Sequence, residues 1–347
     1  MQDNLGMLIA KAHSIKTELR IENMYTLKEL QQKAIEVIET TNYGGTPSTL
    51  YEPIEYGMSQ GGKRIRPLLC LIANDLCLGE LNKAYPAAIA IEMLHNFTLL
   101  HDDIMDASPL RRGVPTVYKK YNTNKAILSG DTMFACAYKH LLECDKDIAF
   151  ELVQALTQGS IEVCEGQAYD MDFEDRDDVS LEEYLEMIRL KTGVLLSTSL
   201  KLGAITANAD SETLSLLDTF GNQIGIAFQI QDDMFDCWSE LEVFGKMCGT
   251  DIIDKKKTFL YLKALEIASE ETKKELQQIY NSVDLDKEAK IEKVRAIYES
   301  LDMQDVAQKA VLEYNEKALQ ALEKINVPQE RKQALRDFAD KIIKRNK

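Results

Sequence analysis

The chain has 347 residues and a formal net charge of −16, and 45% of its residues are hydrophobic. This content of apolar residues can form a sizeable core, which excludes a disordered or fibrous protein. The acidic balance repels nucleic-acid backbones and anionic membranes, so we expect no nucleic acid as a partner. Any affinity for a phosphorylated ligand must then come from a local basic cluster or from metal ions. The seven cysteines form no Cys-x-x-Cys pair, which favours a reducing compartment over a zinc site or a disulfide framework.

The first 23 residues lack the continuous apolar core of a signal peptide, and no stretch approaches the roughly 18 apolar residues of a membrane span. We therefore expect a soluble cytoplasmic protein with no membrane span. Helical periodicity begins at Met24. The sequence thus predicts an N-terminal extension over residues 1–23 and a single domain over 24–347.

The distribution of prolines indicates long helices. Six of the seven prolines lie between Pro47 and Pro115, and none lies between Pro115 and Pro328. An interior proline costs a helix about 3 kcal/mol, so the long proline-free stretch suits helices, and apolar residues recur there at spacings of three and four. The fold class that follows is all-α, with one domain of long helices. The predicted helices are 26–41, 47–59, 66–77, 83–107, 125–143, 147–171, 180–202, 211–239, 256–279, 285–302, 304–325 and 328–345.

Two aspartate clusters, DDIMD at 102–106 and DDMFD at 232–236, each follow an apolar stretch. The first and last aspartates of a cluster are four residues apart, so a helix places them on one face. Like charges at this spacing destabilise a helix, whereas magnesium commonly binds through one or two carboxylates plus substrate phosphates. A solvated acidic face is the alternative, and the apolar stretches argue against it. A calcium loop is unsupported because neither cluster has that motif's central glycine and terminal glutamate.

Basic residues are grouped in GGKRIRP at 61–67, in RRGVPT at 111–116, in KTG at 191–193, and from Lys246 to Lys256. Glycines let a backbone approach a ligand closely, and arginine offers a bidentate fork to phosphate. GGKRIRP is not the nucleotide P-loop, whose glycine spacing differs. Taken singly, each group could be a solvated patch.

Other readings of individual residues stay open. Arg111 and Arg112 could simply neutralise the nearby aspartates, and a lone histidine such as His95 or His101 is more often a hydrogen-bonded helix residue than a ligand. No Ser-His-Asp or Cys-His spacing supports nucleophilic catalysis.

Taken in order, GGKRIRP, LLHDDIMD, RRGVPT, GD (130–131), GQAYD, KTG, FQIQDDMFD and GKMCGTDIIDKKKT resemble the motif series of the trans-isoprenyl (polyprenyl) diphosphate synthases, the short-chain farnesyl and geranylgeranyl synthases in particular. The resemblance spans about residues 57–258. It implies the isoprenoid synthase fold, a bundle of long helices around a central cavity, usually as a homodimer. It also implies a Mg²⁺-dependent trans condensation of isopentenyl diphosphate with an allylic diphosphate (dimethylallyl, geranyl or farnesyl).

The resemblance assigns roles residue by residue. Three Mg²⁺ ions would bind, two at Asp102 and Asp106 and the third at Asp232, with Asp103, Asp233 and Asp236 in support. The allylic diphosphate would be held by Arg111, Lys191 and Lys256, with Lys246 nearby. Isopentenyl diphosphate would be held by Lys63, Arg66, His95 and Arg112. Thr192 and Gln229 would lie beside the reacting carbons.

Product length is predicted from the residues before the first cluster. Leu94 and Thr98 share the helix face of Asp102, and Phe97 lies five residues before it, about 7.5 Å along the axis. In the family an aromatic residue at this place favours short products, so Phe97 predicts C15 or C20; ordinary core packing of the ring is the alternative. The other readings are a synthase of longer chains, a terpene cyclase and a non-catalytic subunit. An aspartate-rich second cluster and GGKRIRP disfavour the cyclase, and the retained aspartates and arginines disfavour the non-catalytic subunit.

Overall fold

The computed structural model of the chain describes residues 24–238, 249–282 and 284–344. The predicted extension over residues 1–23 and the predicted site residue Lys246 lie outside the described residues. The chain divides into two compact units. Unit 1 comprises the described residues of Met1–Gln158, Thr198–Leu217 and Ile325–Leu335, and unit 2 those of Gly159–Ser197, Asp218–Lys324 and Arg336–Lys347. A single domain over 24–347 stays a prediction.

Helices α1 (Leu27–Thr40) and α6 (Thr123–Leu141) begin at residues whose side chains cap them. Thr26 and Glu29 form a reciprocal capping box at the start of α1, and the Asn122 side chain accepts from the Lys125 amide at the start of α6. Helix α4 is rich in buried alanine and packs most extensively against α6 and α3. The helices are α1 Leu27–Thr40, α2 Ser48–Ser59, α3 Ile65–Leu76, α4 Leu81–Met105, α5 Val117–Lys120, α6 Thr123–Leu141 and α7 Ala149–Glu174.

Among the remaining elements, a single turn of π-helix over Arg189–Gly193 joins two helices, Leu181–Ile188 and Val194–Thr206. In unit 2 the core is formed by aromatic and aliphatic side chains, among them Tyr184, Ile230, Phe259 and Tyr298. The helices are α8 Leu181–Ile188, α9 Val194–Thr206, α10 Ser211–Trp238, α11 Thr250–Ile253, α12 Phe259–Ile267, α13 Glu270–Asn281, α14 Lys287–Ser300, α15 Met303–Lys324 and α16 Gln333–Ile343, with a 3₁₀ turn at Gln329–Lys332.

The all-α prediction is confirmed, and two predicted helices need correction. The helix predicted over 180–202 is interrupted by the π turn at 189–193 and then runs to Thr206. The helix predicted over 256–279 is two helices, because Ser269 caps a new helix by accepting a hydrogen bond from the Thr272 amide. Both breaks occur without proline, so the proline pattern could not reveal them.

One small antiparallel ribbon, absent from the prediction, follows the first aspartate cluster. Strand β1 (Leu110–Arg111) pairs with β2 (Val114–Pro115). The two residues between the strands, Arg112 and Gly113, both have positive φ, as a type I′ turn requires. Arg-Gly is a weaker signal for that turn than Asn-Gly, which is why the sequence did not indicate it.

In the part of the chain that the structure describes, no helix is both long and apolar enough to cross a lipid bilayer.

Candidate active site

The first aspartate cluster forms the C-terminal end of α4. Asp102 lies in the last turn and Asp106 is the C-cap residue. A helix C-terminus carries partial negative charge, so carboxylates there are disfavoured unless cations approach them. Asp103 is 2% exposed, and its Oδ1 accepts from Arg111 Nε at 2.9 Å and Nη2 at 2.7 Å. Arg111 therefore neutralises Asp103, while Asp102 is half-buried and Asp106 is exposed.

The ribbon and the GGKRIRP loop are joined by Arg112. Its guanidinium donates to the carbonyl of Gly61. A Cβ atom at Gly62 would lie 2.7 Å from the Arg112 guanidinium carbon, and the φ of Gly62 is +119°. A side chain at position 62 would thus displace Arg112, so this glycine is required for the position of the cation.

Of the three cations in GGKRIRP, Arg64 is turned into the protein. Its Nη1 lies 2.7 Å from Glu92 Oε1, and the two side chains are 5% and 3% exposed. A buried ion pair of this kind positions the backbone and leaves no charge for a ligand. Lys63 is exposed and Arg66 is half-buried. The assignment of Lys63 and Arg66 to a ligand stays a prediction, whereas the ion pair gives Arg64 a structural role.

Unused donors lie beside this group. The Nε atom of Arg66 and the Nδ1 atom of His95 are buried and have no hydrogen-bond partner among the described residues. Burial lowers the pKa of Arg66 to about 10, so the side chain is still charged at neutral pH. Burial, followed by the charges of Arg66 and Arg112, lowers the pKa of His95 well below its usual range. A neutral histidine beside mutually repelling arginines fits an anionic ligand.

The residues before the first cluster occupy different environments. Phe97 is half-buried, and its ring packs edge-to-face on Phe134 of α6, with centroids 5.3 Å apart. The Phe134 ring in turn lies 5.2 Å from Tyr138. Leu94 is completely buried, and the Thr98 hydroxyl donates to the His95 carbonyl at 2.8 Å. Phe97 is thus part of an aromatic row rather than an isolated ring.

In unit 2, the KTG motif forms the π turn that interrupts the predicted helix. Lys191 Nζ lies 2.5 Å from Asp170 Oδ2, so the lysine is oriented by the aspartate of GQAYD. A Cβ atom at Gly166 would collide with the backbone nitrogen of Lys191, and one at Gly225 would collide with Cα of Gly193. Helices α7 and α10 therefore reach the turn through glycines. π turns occur frequently at functional sites.

A chain of hydrogen bonds runs from the π turn into α10. The Thr192 hydroxyl donates to Gln229 Oε1 at 3.2 Å, and Gln229 Nε2 donates to Asp233 Oδ1 at 3.3 Å. The other oxygen of Asp233 accepts from the Tyr184 hydroxyl at 2.5 Å and from the Phe259 amide at 3.0 Å. Burial, together with the charge of Asp251, raises the pKa of Asp233 to about 7. Asp233 thus joins Tyr184 and Phe259 through one oxygen, and through the other it orients the amide of Gln229.

The last aspartate of the second cluster caps a helix. Asp236 Oδ1 accepts from the Thr250 hydroxyl at 2.5 Å, and Oδ2 accepts from the Asp251 amide at 3.0 Å, at the start of α11. Asp232 is half-buried in the same part of α10. Burial, followed by the charge of Asp236, raises the pKa of Asp251 to about 6. The charge of Asp236 therefore disfavours the ionised form of Asp251 unless a cation is present.

A cavity of about 120 Å³ in unit 2 is lined by many of these side chains. Lys256 Nζ lies 3.8 Å from Asp251 Oδ1 at its edge. Asp170, Asp251 and Tyr184 were given no role by the sequence. The two aspartates lie inside quoted motifs and could have been named, whereas Tyr184 has the spacing of an ordinary core residue. The lining residues are Asp170, Phe173, Glu174, Tyr184, Met187, Ile188, Lys191, Thr192, Gln229, Asp233, Asp251, Lys256, Lys257 and Thr258.

Across residues 24–238, 249–282 and 284–344, no group of three or more His, Cys, Asp or Glu side chains is arranged to hold a metal ion unaided. Magnesium does not need one, because it keeps several waters and takes the remaining ligands from one or two carboxylates and from substrate phosphates. Asp102 and Asp106 in unit 1, and Asp232 in unit 2, carry carboxylate oxygens, the ligand type that magnesium takes, so their chemistry fits this metal.

Comparisons with known proteins agree with this chemistry. The sequence model described as polyprenyl synthetase matches residues 47–301. The chain is 36% identical over 326 residues to the short chain isoprenyl diphosphate synthase of Methanothermobacter thermautotrophicus, covering 94% of this chain and 99% of that protein. It is 39% identical to the geranylgeranyl diphosphate synthase of Saccharolobus solfataricus, covering 86% of this chain and 91% of the relative.

Solved structures resemble the whole fold. A crystal structure of geranylgeranyl pyrophosphate synthase matches with a TM-score of 0.88 at 41% identity, covering 92% of this chain and 99% of the other. The geranylgeranyl pyrophosphate synthetase from Pyrococcus horikoshii Ot3 matches with a TM-score of 0.81 at 32% identity, covering 96% and 99%. The predicted isoprenoid synthase fold is confirmed. The chain belongs to the polyprenyl synthetase family of trans-prenyltransferases.

Proposed function

We propose that this enzyme condenses isopentenyl diphosphate with an allylic diphosphate to make geranylgeranyl diphosphate, the C20 product. The observation that carries the proposal is the pair of buried, unused donors, Arg66 Nε and His95 Nδ1, within a group of mutually repelling cations. A diphosphate satisfies both the donors and the charge. Relatives that are named geranylgeranyl diphosphate synthase support C20, because they match this chain at 39% to 42% identity.

In unit 1, Lys63, Arg66, His95 and Arg112 are proposed to bind isopentenyl diphosphate. Arg66 and Arg112 supply charge, and His95 supplies one N–H donor because its imidazole is neutral. Asp102 and Asp106 are proposed to hold Mg²⁺ with the allylic diphosphate, and Arg111 to bind that diphosphate while paired to Asp103. Mg²⁺, proposed as three ions when substrate is bound, would neutralise charge on the leaving diphosphate.

In unit 2, Lys191 and Lys256 are proposed to bind the allylic diphosphate, and Asp232 to hold Mg²⁺ with support from Asp236. The hydrogen bond from Thr192 to Gln229 commits the threonine's proton to the glutamine, so the lone pairs of the Thr192 oxygen remain available to face a developing positive charge. This arrangement stabilises a cation more in the transition state than in the ground state. Asp170 keeps Lys191 oriented during the reaction.

Product length is proposed to be limited by Phe97. Its ring lies five residues before Asp102 and is packed against Phe134, so it cannot rotate away without breaking an aromatic contact. Other relatives carry the name geranylfarnesyl diphosphate synthase at 39% identity, so a C25 product is the nearest competing outcome.

The test is incubation of the purified protein with radiolabelled isopentenyl diphosphate and, in turn, dimethylallyl, geranyl or farnesyl diphosphate, followed by sizing of the dephosphorylated products. We expect C20 as the main product, and loss of turnover when Mg²⁺ is chelated and its return when Mg²⁺ is added. A main product of C25 or longer would contradict the length assignment. Absence of any Mg²⁺-dependent condensation would contradict the proposed function.

We also propose that the enzyme is a cytoplasmic homodimer. Support comes from the family resemblance and from exposed apolar side chains, Ile127 and Leu128 at 41% and 58% exposure on α6 and Phe150 at 77% on α7. Light scattering after size-exclusion chromatography should give twice the mass of one chain. A mass of one chain at micromolar concentration would contradict the dimer.

A further inference from the structure

The loop between α11 and α12 carries Lys256, and its backbone is unusual for the residues that form it. After α11 ends at Ile253, the Lys256 amide donates to the Asp251 carbonyl at 2.9 Å and the Lys255 amide to the Ile252 carbonyl at 3.4 Å. This is the pattern of a Schellman helix end, which normally has glycine at the left-handed position. Here Lys255 occupies that position, with φ of 56°.

A lysine in the left-handed region is less stable there than glycine, so the loop needs support from outside. Part of the support is local, because Lys255 Nζ donates to the Asn281 carbonyl at 3.2 Å, at the end of α13. Further support comes from the Thr258 amide, which donates to the Lys256 carbonyl at 2.9 Å, and from a tyrosine of α13. The Tyr280 hydroxyl lies 2.6 Å from the Lys256 carbonyl oxygen and 3.3 Å from that of Asp251. A hydroxyl has one proton, so the shorter bond, to Lys256, is the principal one.

The Tyr280 ring is held rigidly enough for this hydroxyl to define the loop. The side chain is 2% exposed and stacks on Tyr261 of α12, with ring centroids 4.0 Å apart and planes inclined by 21°. Lys290 of α14 lies over the same ring, with Nζ 5.7 Å from its centroid. The tyrosine is thus fixed by three elements, and only its hydroxyl reaches the loop.

A nearby tyrosine provides a contrast within the same core. Tyr298 of α14 is 1% exposed, and its hydroxyl is buried without a hydrogen-bond partner among the described residues. This core therefore tolerates a tyrosine whose hydroxyl makes no bond. The bond from Tyr280 to Lys256 is not simply what burial of a tyrosine demands.

We propose that Tyr280 is a positioning residue for the allylic diphosphate site, acting through the Lys256 backbone. This rests on the proposed function, which assigns the Lys256 side chain to that diphosphate. The hydroxyl fixes the carbonyl of Lys256, and the same residue's amide is fixed by Asp251, so the direction of the Lys256 side chain is determined at both ends of the residue. No motif of the sequence contains Tyr280, which lies beyond residue 258, where the motif series ends.

The experiment compares Tyr280→Phe with Tyr298→Phe, each of which removes one buried hydroxyl and keeps the ring. Steady-state kinetics is measured against each substrate at a temperature at which both variants keep the wild-type circular dichroism. We expect Tyr280→Phe to raise KM for the allylic diphosphate about fivefold to tenfold, which corresponds to one hydrogen bond. KM for isopentenyl diphosphate should be unchanged, and Tyr298→Phe should match the wild type in both values.

A double variant identifies the route of the effect. If Tyr280 acts through Lys256, then Tyr280→Phe should have no further effect on the allylic KM of Lys256→Ala. Additive effects, equal shifts in both KM values, or a Tyr280→Phe variant that matches Tyr298→Phe would each overturn the inference while leaving the proposed function intact. A wild-type protein that condenses no substrates would instead contradict the proposed function, independently of either tyrosine.

Discussion

The two aspartate clusters have the same spacing of aspartates in the sequence and different surroundings in the structure. At the end of α4, Asp103 is paired with one arginine, while Asp102 is half-buried and Asp106 exposed. Near the end of α10, Asp233 accepts hydrogen bonds from three different donors, and Asp236 caps α11. In the first motif the second aspartate is held by an ion pair, and in the other the second and last aspartates are held by hydrogen bonds. A repeated acidic motif does not imply repeated roles for its members.

The largest expected effect is on the first aspartate of each cluster. Asp102→Ala and Asp232→Ala should each abolish turnover, a loss of roughly a thousandfold, because Mg²⁺ would no longer be held against the leaving diphosphate. Helix content measured by circular dichroism should stay near that of the wild type. Asp305→Ala, at an exposed site of α15, is the matched control and should keep full activity. Retained turnover in either cluster variant would refute that metal assignment.

The next largest effect is on the free energy of unfolding, and it should distinguish Asp233 from Asp232, the first aspartate of the same cluster. Asp233→Ala leaves the Tyr184 hydroxyl, the Phe259 amide and one Gln229 proton without their acceptor. Buried donors that lose an acceptor cost about 1 to 3 kcal/mol, so we expect the free energy of unfolding to fall by about 3 kcal/mol. Asp232→Ala should lower it by less than about 1 kcal/mol. Equal losses in chemical denaturation would remove the distinction drawn between the two aspartates.

The third expected effect concerns Gly225, which precedes the second cluster on α10. Gly225→Ala places a methyl group against Gly193 in the π turn, whereas Gly221→Ala, one turn earlier on α10, places one against Ser197 in α9. Both should lower the melting temperature, because each collides with backbone. Only Gly225→Ala should lower kcat, about tenfold or more, because it displaces the turn that carries Lys191 and Thr192. Equal kcat values for the two variants would show that the close approach at Gly225 has no role in orienting the turn.

The smallest expected effect concerns Phe97, which precedes the first cluster on α4. Phe97→Ala removes the ring that packs on Phe134, and we expect products at least one C5 unit longer with turnover retained. Phe97→Tyr keeps the ring and should keep the wild-type product. Sizing of the radiolabelled products of both variants gives the answer. An unchanged product spectrum in Phe97→Ala would mean that Phe97 is ordinary core packing.

Much of the site could be predicted from the sequence because its residues lie in short motifs. The spacing of four in each cluster places two carboxylates on one helix face, and this needs no knowledge of other elements. The sequence permits two roles for Arg111, neutralising the nearby aspartates or binding a ligand. Its pairing with Asp103 supports the first role, and the second stays a proposal. Lys246 lies outside the described residues, so its assignment stays a prediction.

The features that the sequence did not reveal depend on contacts between distant residues. The π turn at 189–193 lies in a segment whose apolar spacing suits a continuous helix, and it occurs where Gly166 and Gly225 bring two other helices against it. The Arg112-Gly113 turn depends in the same way on the carbonyl of Gly61, 51 residues earlier. Tyr280 reaches Lys256 across 24 residues and two helix ends.

Local spacing and helix propensity were enough to specify the fold class, most of the helices and the chemical type of each motif, because those properties act over one or two turns. Which aspartate remains at the surface and which becomes a buried acceptor was decided by tertiary packing. The free energy of a buried carboxylate depends on donors from other helices, and Asp233 has donors from three parts of the chain that the DDMFD motif does not contain. The same four-residue spacing therefore occurs at the end of α4, where the buried aspartate is paired with an arginine, and on α10, where the buried aspartate accepts hydrogen bonds from three donors.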